Sequence, residues 1–407
     1  MTSGHPRGCP TVCTPSVQNS TTTVSHGLFR GSFERVEEPS RSGGLFLLEM
    51  RHFQTWAHIV NRLYKLEFIW YFTGIFIAFM VPKKLKKGDQ IRIIAPSDSA
   101  SIISKERIKF AEQRLMQLGF LVTYGKNVFV DNLSNEHGIQ AKVSDFHDAF
   151  EDKSVKGIIS MIGGLTSHKL LKHIDWNILK KNPKIFCGYS DIDVLALAIY
   201  KMTDLITYSG IHFSTFSQKK YFDYSQDYFS KCLMSSRNYK IIPSKNWSDD
   251  EWYLNQEKRE LVSNEGFWSI NPGKAEGKML GNNVSAFAFL QDAEYLPIIK
   301  NTILFLEKDN SWGKDTLLKF ERILRALVQT KDGSKIKGLV LGRFTKNTGI
   351  LKEDLKRMIG EIPELKKTPV IANVDFGHTD PKVVLPVGGK AKIMVSDKKN
   401  AITILKH

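Results

Sequence analysis

The amino-acid sequence predicts an α/β protein, with a parallel-sheet N-terminal domain followed by a smaller, β-rich α+β domain. Three observations predict it. Between Lys83 and Tyr208, β-branched strands alternate with amphipathic helices of about 10 to 15 residues, the rhythm of a parallel sheet covered by helices on both faces. From 213 to 272 that rhythm gives way to an aromatic, polar stretch. After Lys274 short strands return around an amphipathic helix, and the chain closes on strands. The expected organisation is an extension at 1–79 outside the fold, an N-terminal domain at 80–212, a connecting region at 213–272 and a C-terminal domain at 273–407.

Residues 1 to 65 are rich in Ser, Thr, Gly and Pro and sustain no period of either kind, as disordered segments do. Phe68–Val81 is a run of fourteen uncharged, mostly apolar residues. A membrane span needs about twenty, so no stable insertion is expected, and the working protein is expected to start near Met80. The strand Asp89–Ser97 ends in a Pro-Ser turn, and Ser104–Leu118 has helical spacing closed by Gly119. A strand at Leu121–Tyr124, a helix at Ile139–Phe150 and a strand at Val155–Ile162 follow, the last ending in Gly163-Gly164. Ligands of such sheets gather at the carboxyl ends of the strands.

The next strand, Lys184–Cys187, runs through Gly188-Tyr189-Ser190-Asp191 into a helix of Leu and Ala. A serine at a strand-to-helix turn stands clear of the sheet, and the first N–H groups of the helix face whatever it attacks. The usual elbow is G-x-S-x-G; here its fifth position is Ile192, and Ser190 in isolation reads more readily as a helix cap. Asp191 N–H and a backbone N–H of Gly163 or Gly164 are candidate oxyanion donors. Cys187 is the rival nucleophile, but it precedes the turn and is expected to point into the sheet as core.

The formal charge of +16 admits a nucleic-acid partner. The lysines are scattered, however, with no dense basic helix, RNA-binding signature or zinc spacing, so a solvated surface and no nucleic acid are expected. Four cysteines, Cys9, Cys13, Cys187 and Cys232, are too few and too uneven for a disulfide framework, which suits a reduced, cytoplasmic compartment. Cys9 and Cys13 have no second Cys or His pair beside them, so neither a metal nor another cofactor is expected.

The aromatics of the connecting region read either as packing between the domains or as a substrate loop whose Trp247 and Trp252 stack on a flat ligand. In the C-terminal domain, Gly277–Asn283 ends a strand, Asn301–Glu307 is a strand ending in a carboxylate, and Leu317–Val328 is an amphipathic helix. Strands at Ile336–Gly342 and Val370–Val374 lead to Asp375-Phe376-Gly377-His378-Thr379-Asp380-Pro381, and short strands at Val383–Leu385, Ala391–Val395 and Ala401–Leu405 close the chain. A nucleophilic serine needs a base, and the base an orienting carboxylate. Ser190, His378 and Glu307 supply all three types at element ends, with Asp375 and Asp380 as rival orienters.

Together these motifs resemble the LD-carboxypeptidases and microcin C self-immunity proteins, a family of serine peptidases. The resemblance runs from about Val81 to the C-terminus through Gly88-Asp89…Ala95-Pro96-Ser97, Ile162-Gly163-Gly164, Gly188-Tyr189-Ser190-Asp191, Gly281-Asn282-Asn283, Leu304-Phe305-Leu306-Glu307 and Gly377-His378-Thr379…Leu385-Pro386-Val387-Gly388. It implies a flavodoxin-like N-terminal domain, a Ser190–Glu307–His378 triad between the domains, Asn283 among the substrate-binding residues, no metal, and a homodimer. Two positions depart from the family pattern: Asn282 replaces a glycine, and Asp193 replaces a frequent Thr, placing another negative charge beside the expected site. The Trp247–Trp252 segment, followed by Gly266-Phe267-Trp268, is similar to the loop of the microcin C branch, where a tryptophan stacks on a nucleotide base; Trp252 is the expected stacker. The resemblance therefore implies a carboxypeptidase-type hydrolase of peptidyl- or aminoacyl-nucleotides. The alternatives are release of terminal D-alanine from a murein tetrapeptide and a non-catalytic ligand-binding protein.

Overall fold

A computed structural model of the chain describes residues 80–130, 135–291 and 293–407. The extension expected at 1–79, and the apolar run Phe68–Val81 but for its last two residues, lie outside them. From Gln90 to Ser209 the βα rhythm holds: β1 (Gln90–Ile94), α1 (Lys105–Gln117), β2 (Leu121–Tyr124), α2 (Glu136–Glu151), β3 (Val155–Ser160), α3 (Trp176–Lys181), β4 (Ile185–Gly188), α4 (Ile192–Thr203) and β5 (Thr207–Ser209). The five strands pair in parallel in the order β2-β1-β3-β4-β5. That is the flavodoxin-like doubly wound order, whose switch point opens a crevice at the strands' carboxyl ends. Local chemistry starts and stops the helices. Ser104 caps α1 by accepting from Arg107 N–H, and Asn135 caps α2 by accepting from Gly138 N–H.

The connecting region holds a helix that its aromatic content concealed. α5 (Asp223–Leu233) buries Ser225, Tyr228, Phe229, Cys232 and Leu233, so its rings form the core face of a helix. Phe213, Phe216 and Phe222 are buried as well, and this half of the aromatic stretch is packing. The chain then forms β6 (Tyr239–Ile241), the small hairpin β7 (Asn246–Trp247) and β8 (Val262–Ser263), and β9 (Trp268–Asn271).

The second half comprises β10 (Gly273–Asn283), α6 (Val284–Leu290), β11 (Thr302–Glu307), α7 (Thr316–Val328), β12 (Gly338–Gly342), α8 (Lys352–Gly360), β13 (Val370–Val374), β14 (Leu385–Val387), β15 (Lys390–Val395) and β16 (Ala401–Lys406). Its eight-stranded sheet runs β6-β16-β15-β10-β11-β12-β13-β9, so both outermost strands come from the connecting region. β10 to β13 run parallel to one another, β15 and β9 flank them antiparallel, and Asn283 lies in register with Glu307. The short strand expected at Val383–Leu385 forms two residues later and leaves this sheet. As β14 it pairs antiparallel with β5 and closes the edge of the N-terminal sheet.

α4 explains its own composition. Its residues from Ile192 to Tyr200 are all buried, and it packs against β4, β5 and α6. A helix covered on every side has no polar face to keep, so from Val194 to Tyr200 it reads as an apolar run. One apolar core accordingly joins Ile158, Phe186 and Leu195 to Leu280, Leu304 and Leu339 of the other sheet. Burial of this kind stabilises by about 25 cal/mol per Å² of apolar surface, and here it holds the carboxyl ends of β4 and β11 side by side.

Candidate active site

Ser190 is the hinge of the β4–α4 turn and adopts φ +65°, a left-handed conformation that costs an L-residue about 1–2 kcal/mol. The turn is closed behind it by Ile192 N–H to Tyr189 O and Asp193 N–H to Ser190 O. Its side chain meets the loop that follows β13. Ser190 Oγ lies 3.0 Å from His378 Nε2, and His378 Nδ1 lies 2.8 Å from Glu307 Oε2 at the end of β11. The Glu307 side chain is 1% exposed, and the glycine before His378 makes room for it. Gly377 has φ +94°, and a Cβ there would collide with Glu307 Oε2. A carboxylate accepts only, so it holds a proton on Nδ1 and leaves Nε2 bare toward the serine hydroxyl. Such a chain can take the hydroxyl proton during attack on a carbonyl.

The other predicted positions fall in three places. Gly163 and Gly164 line the cleft of about 450 Å³ that contains Ser190 and His378. Gly164 has φ +144°, and a Cβ on it would collide with Ser97 Oγ and Asp98 Oδ1. Asp191 is held at the start of α4 by bonds that its sequence neighbours do not foretell. Its carboxylate accepts from Ser97 Oγ at 2.6 Å and Ser167 N–H at 2.8 Å, while its carbonyl accepts from Ser167 Oγ. The Pro96-Ser97 turn thus braces both glycine and aspartate.

Trp252 lines the same cleft, and the Arg107 guanidinium lies 5.0 Å from its ring centre. Trp247 does not reach it. Ser248 N–H and C=O bridge to Asp380, which ties the loop to the His378 segment, and the neighbouring Trp247 turns the opposite way. Its ring sits beside Arg343 and Lys346 in a separate cavity lined also by Trp268. Asn283 is a buried helix cap: its Oδ1 accepts from Ser285 N–H, starting α6, and it does not line the cleft.

Asp193 also departs from expectation. It points away from the cleft into a fully buried site, bonded by Ser209 Oγ–H and by Asn283 N–H at 3.2 Å. Burial holds its carboxyl well above the usual range, and the nearby Glu307 charge adds to the shift. The rival orienters are occupied elsewhere. Asp375 accepts from Arg343 Nη1 at 2.6 Å and from Ser244 N–H and Oγ–H, and Asp380 pairs with Lys382 at 2.9 Å. Cys187 is buried on β4, its thiol pushed up by burial and directed at Ile211 O.

Several cleft residues carried no signal in the sequence. Tyr189 stacks on His212 with ring centres 4.2 Å apart. Burial, with the nearby positive charge of Lys382, pushes the His212 imidazole well below its usual range and keeps it neutral. Burial alone would lower Lys382, but Asp380 beside it raises it instead. The loop acids are committed: Asp249 accepts from Lys346 N–H at 2.6 Å, and Asp250 pairs with Arg259 at 2.8 Å. Among the described residues, no group of three or more His, Cys, Asp or Glu side chains is placed to hold a metal ion.

Residues 91–210 match the LD-carboxypeptidase N-terminal domain and residues 276–393 the LD-carboxypeptidase C-terminal domain. A putative carboxypeptidase of Bacillus subtilis, YocD, is 41% identical over 81% of this chain and 100% of its own length. The crystal structure of an MccF-like protein from Bacillus anthracis superposes with a TM-score of 0.79 at 45% identity, covering 81% of this chain and 100% of that one. MccF in complex with glutamyl sulfamoyl guanosine superposes with a TM-score of 0.71 at 26% identity, covering 81% and 99%. The chain therefore belongs to the LD-carboxypeptidase family of serine peptidases, which includes the microcin C self-immunity proteins.

Proposed function

We propose that this chain is a serine amide hydrolase acting on peptidyl- or aminoacyl-nucleotides of the microcin C type, with a role in self-immunity. The observation that carries the reading is the hydrogen-bonded chain Ser190–His378–Glu307 in a cleft walled by Trp252. Ser190 Oγ attacks the carbonyl carbon as His378 Nε2 takes its proton, and Glu307 stabilises the imidazolium. The N–H groups of Gly164 (or Gly163) and Asp191 receive the oxyanion. Collapse breaks the C–N bond, and His378 returns its proton to the leaving amine. Water then enters by the same route in reverse and frees Ser190. The solved relative bound to glutamyl sulfamoyl guanosine supports an acyl-nucleotide as the ligand class.

A second reading, cleavage of the terminal D-alanine from a murein tetrapeptide, is favoured by the Arg107 guanidinium against Trp252, where a base would stack. The two are separated by mass spectrometry of the protein incubated with a processed microcin C analogue or with the tetrapeptide, alongside Ser190→Ala. Cleavage of the nucleotide substrate, lost in Ser190→Ala, is the expected result. Release of D-alanine alone would replace it with the second reading. Turnover of neither, with no fluorophosphonate labelling of Ser190, would make the chain a non-catalytic binder.

A further inference from the structure

The cleft has two strongly basic side chains on its wall, Arg107 of α1 and Lys382. Lys382 is neutralised by Asp380 at 2.9 Å, and both side chains are almost wholly buried. Arg107 differs. Its Nε donates to Ser217 Oγ at 3.2 Å and its guanidinium lies over Trp252, yet among the described residues no carboxylate pairs with it. Asp249 and Asp250 of the facing loop are engaged by Lys346 and Arg259, and Glu251 accepts from Tyr253 Oη. The guanidinium is therefore a permanent charge, partly removed from water, backed by an aromatic face and with N–H donors to spare. It lines one cleft with Ser190, His212 and His378.

We propose that Arg107 is a specificity-determining residue of this site, binding an anionic oxygen pair of the substrate beside the scissile amide. The inference rests on the reading of the cleft as a substrate site and names the group it selects. The planar fork of a guanidinium accepts a carboxylate or a phosphate side-on through two N–H donors, and partial burial strengthens both. A peptide supplies that pair as its free C-terminal carboxylate, and an aminoacyl-nucleotide supplies it as its phosphate. Stacking on Trp252 fixes the fork in advance, so little side-chain freedom is lost on binding.

The test is calorimetric binding to the Ser190→Ala protein, with and without Arg107→Gln, of four probes. These are a murein-type tetrapeptide, its C-terminal amide, AMP and adenosine. At least one anionic probe is expected to bind more tightly than its neutral counterpart, and Arg107→Gln to abolish that preference with a loss of about 10- to 100-fold. Neutral probes are expected to be unchanged, and Arg107→Lys to restore part of the preference. A preference for the peptide acid alone identifies a carboxylate subsite, and one for AMP alone a phosphate subsite. Equal losses for charged and neutral probes, or no anion preference in the parent, would overturn the proposal. Anion selection by Arg107 in a protein whose Ser190 form hydrolyses neither substrate would leave this inference standing and sink the catalytic one.

Discussion

Glu307→Gln is the substitution that tests the proposed catalytic chain most directly, because the structure isolates what it removes. Glu307 Oε2 holds His378 Nδ1 at 2.8 Å, whereas Oε1 has no hydrogen-bond partner among the described residues. Gln has nearly the same shape and fills the space left by Gly342 and Gly377. Its carbonyl can face Nδ1–H and keep the tautomer, so the charge is what disappears. A carboxylate about 4 Å from the centre of an imidazolium, at an effective dielectric of about 20, stabilises it by about 4 kcal/mol. At about 1.4 kcal/mol per decade, kcat/KM should fall about 10³-fold. The assay is hydrolysis of whichever substrate the protein cleaves, with fluorophosphonate labelling of Ser190 as an independent reporter and near-ultraviolet circular dichroism as the check on folding. Both rates should fall together while the spectrum is unchanged. A Glu307→Gln protein that kept more than a tenth of the parent rate would refute the reasoning.

Asp193 makes two predictions about stability. Asp193→Ala deprives Ser209 Oγ–H and Asn283 N–H of a buried acceptor, which should cost about 1–3 kcal/mol for each, read by thermal unfolding. Asp193→Asn removes a carboxyl whose folded pKa is raised by burial. The native state of the parent binds that proton more tightly than the unfolded state, so its stability declines as pH rises from 3.8 through the folded value. The gap between Asn variant and parent should therefore move in the variant's favour with rising pH, and a constant gap would contradict the assignment. Asp375→Ala leaves Arg343 as an uncompensated charge in a site where both side chains are at most 2% exposed. It should destabilise by about 3–5 kcal/mol in denaturant unfolding, and a loss under 1 kcal/mol would show that water reaches the pair.

Much of the fold was legible because its cues are local. Ser104 before α1, Gly119 after it and the β-branched strands between helices report conformations set within a few residues of chain. The local settings of Ser190 and His378 were legible for the same reason, since a serine at a strand-to-helix turn and a histidine after Gly377 are visible as short motifs. α5 was missed because its core face is built of aromatics, whose helical spacing was masked by their bulk and number. That β14 joins the N-terminal sheet was not legible, because nothing in three residues of strand says which edge they will join.

The sequence by itself determined the alternating order of strands and helices from Gln90 to Ser209, the turn at Ser190 and the chemical types of Glu307 and His378, all consequences of short-range sterics and hydrogen bonding. Tertiary structure alone decided that Asp193 faces inward to Ser209 and Asn283, that Trp247 turns from the cleft while Trp252 stays on it, and that Arg107 meets the cleft with no counter-ion among the described residues. Those outcomes depend on which strands and loops lie side by side. A side chain's partner across a sheet or cleft is fixed by packing between segments that lie apart in the chain, more than a hundred residues for Arg107 and Trp252 or Ser190 and His378, and no period or motif along the chain encodes it.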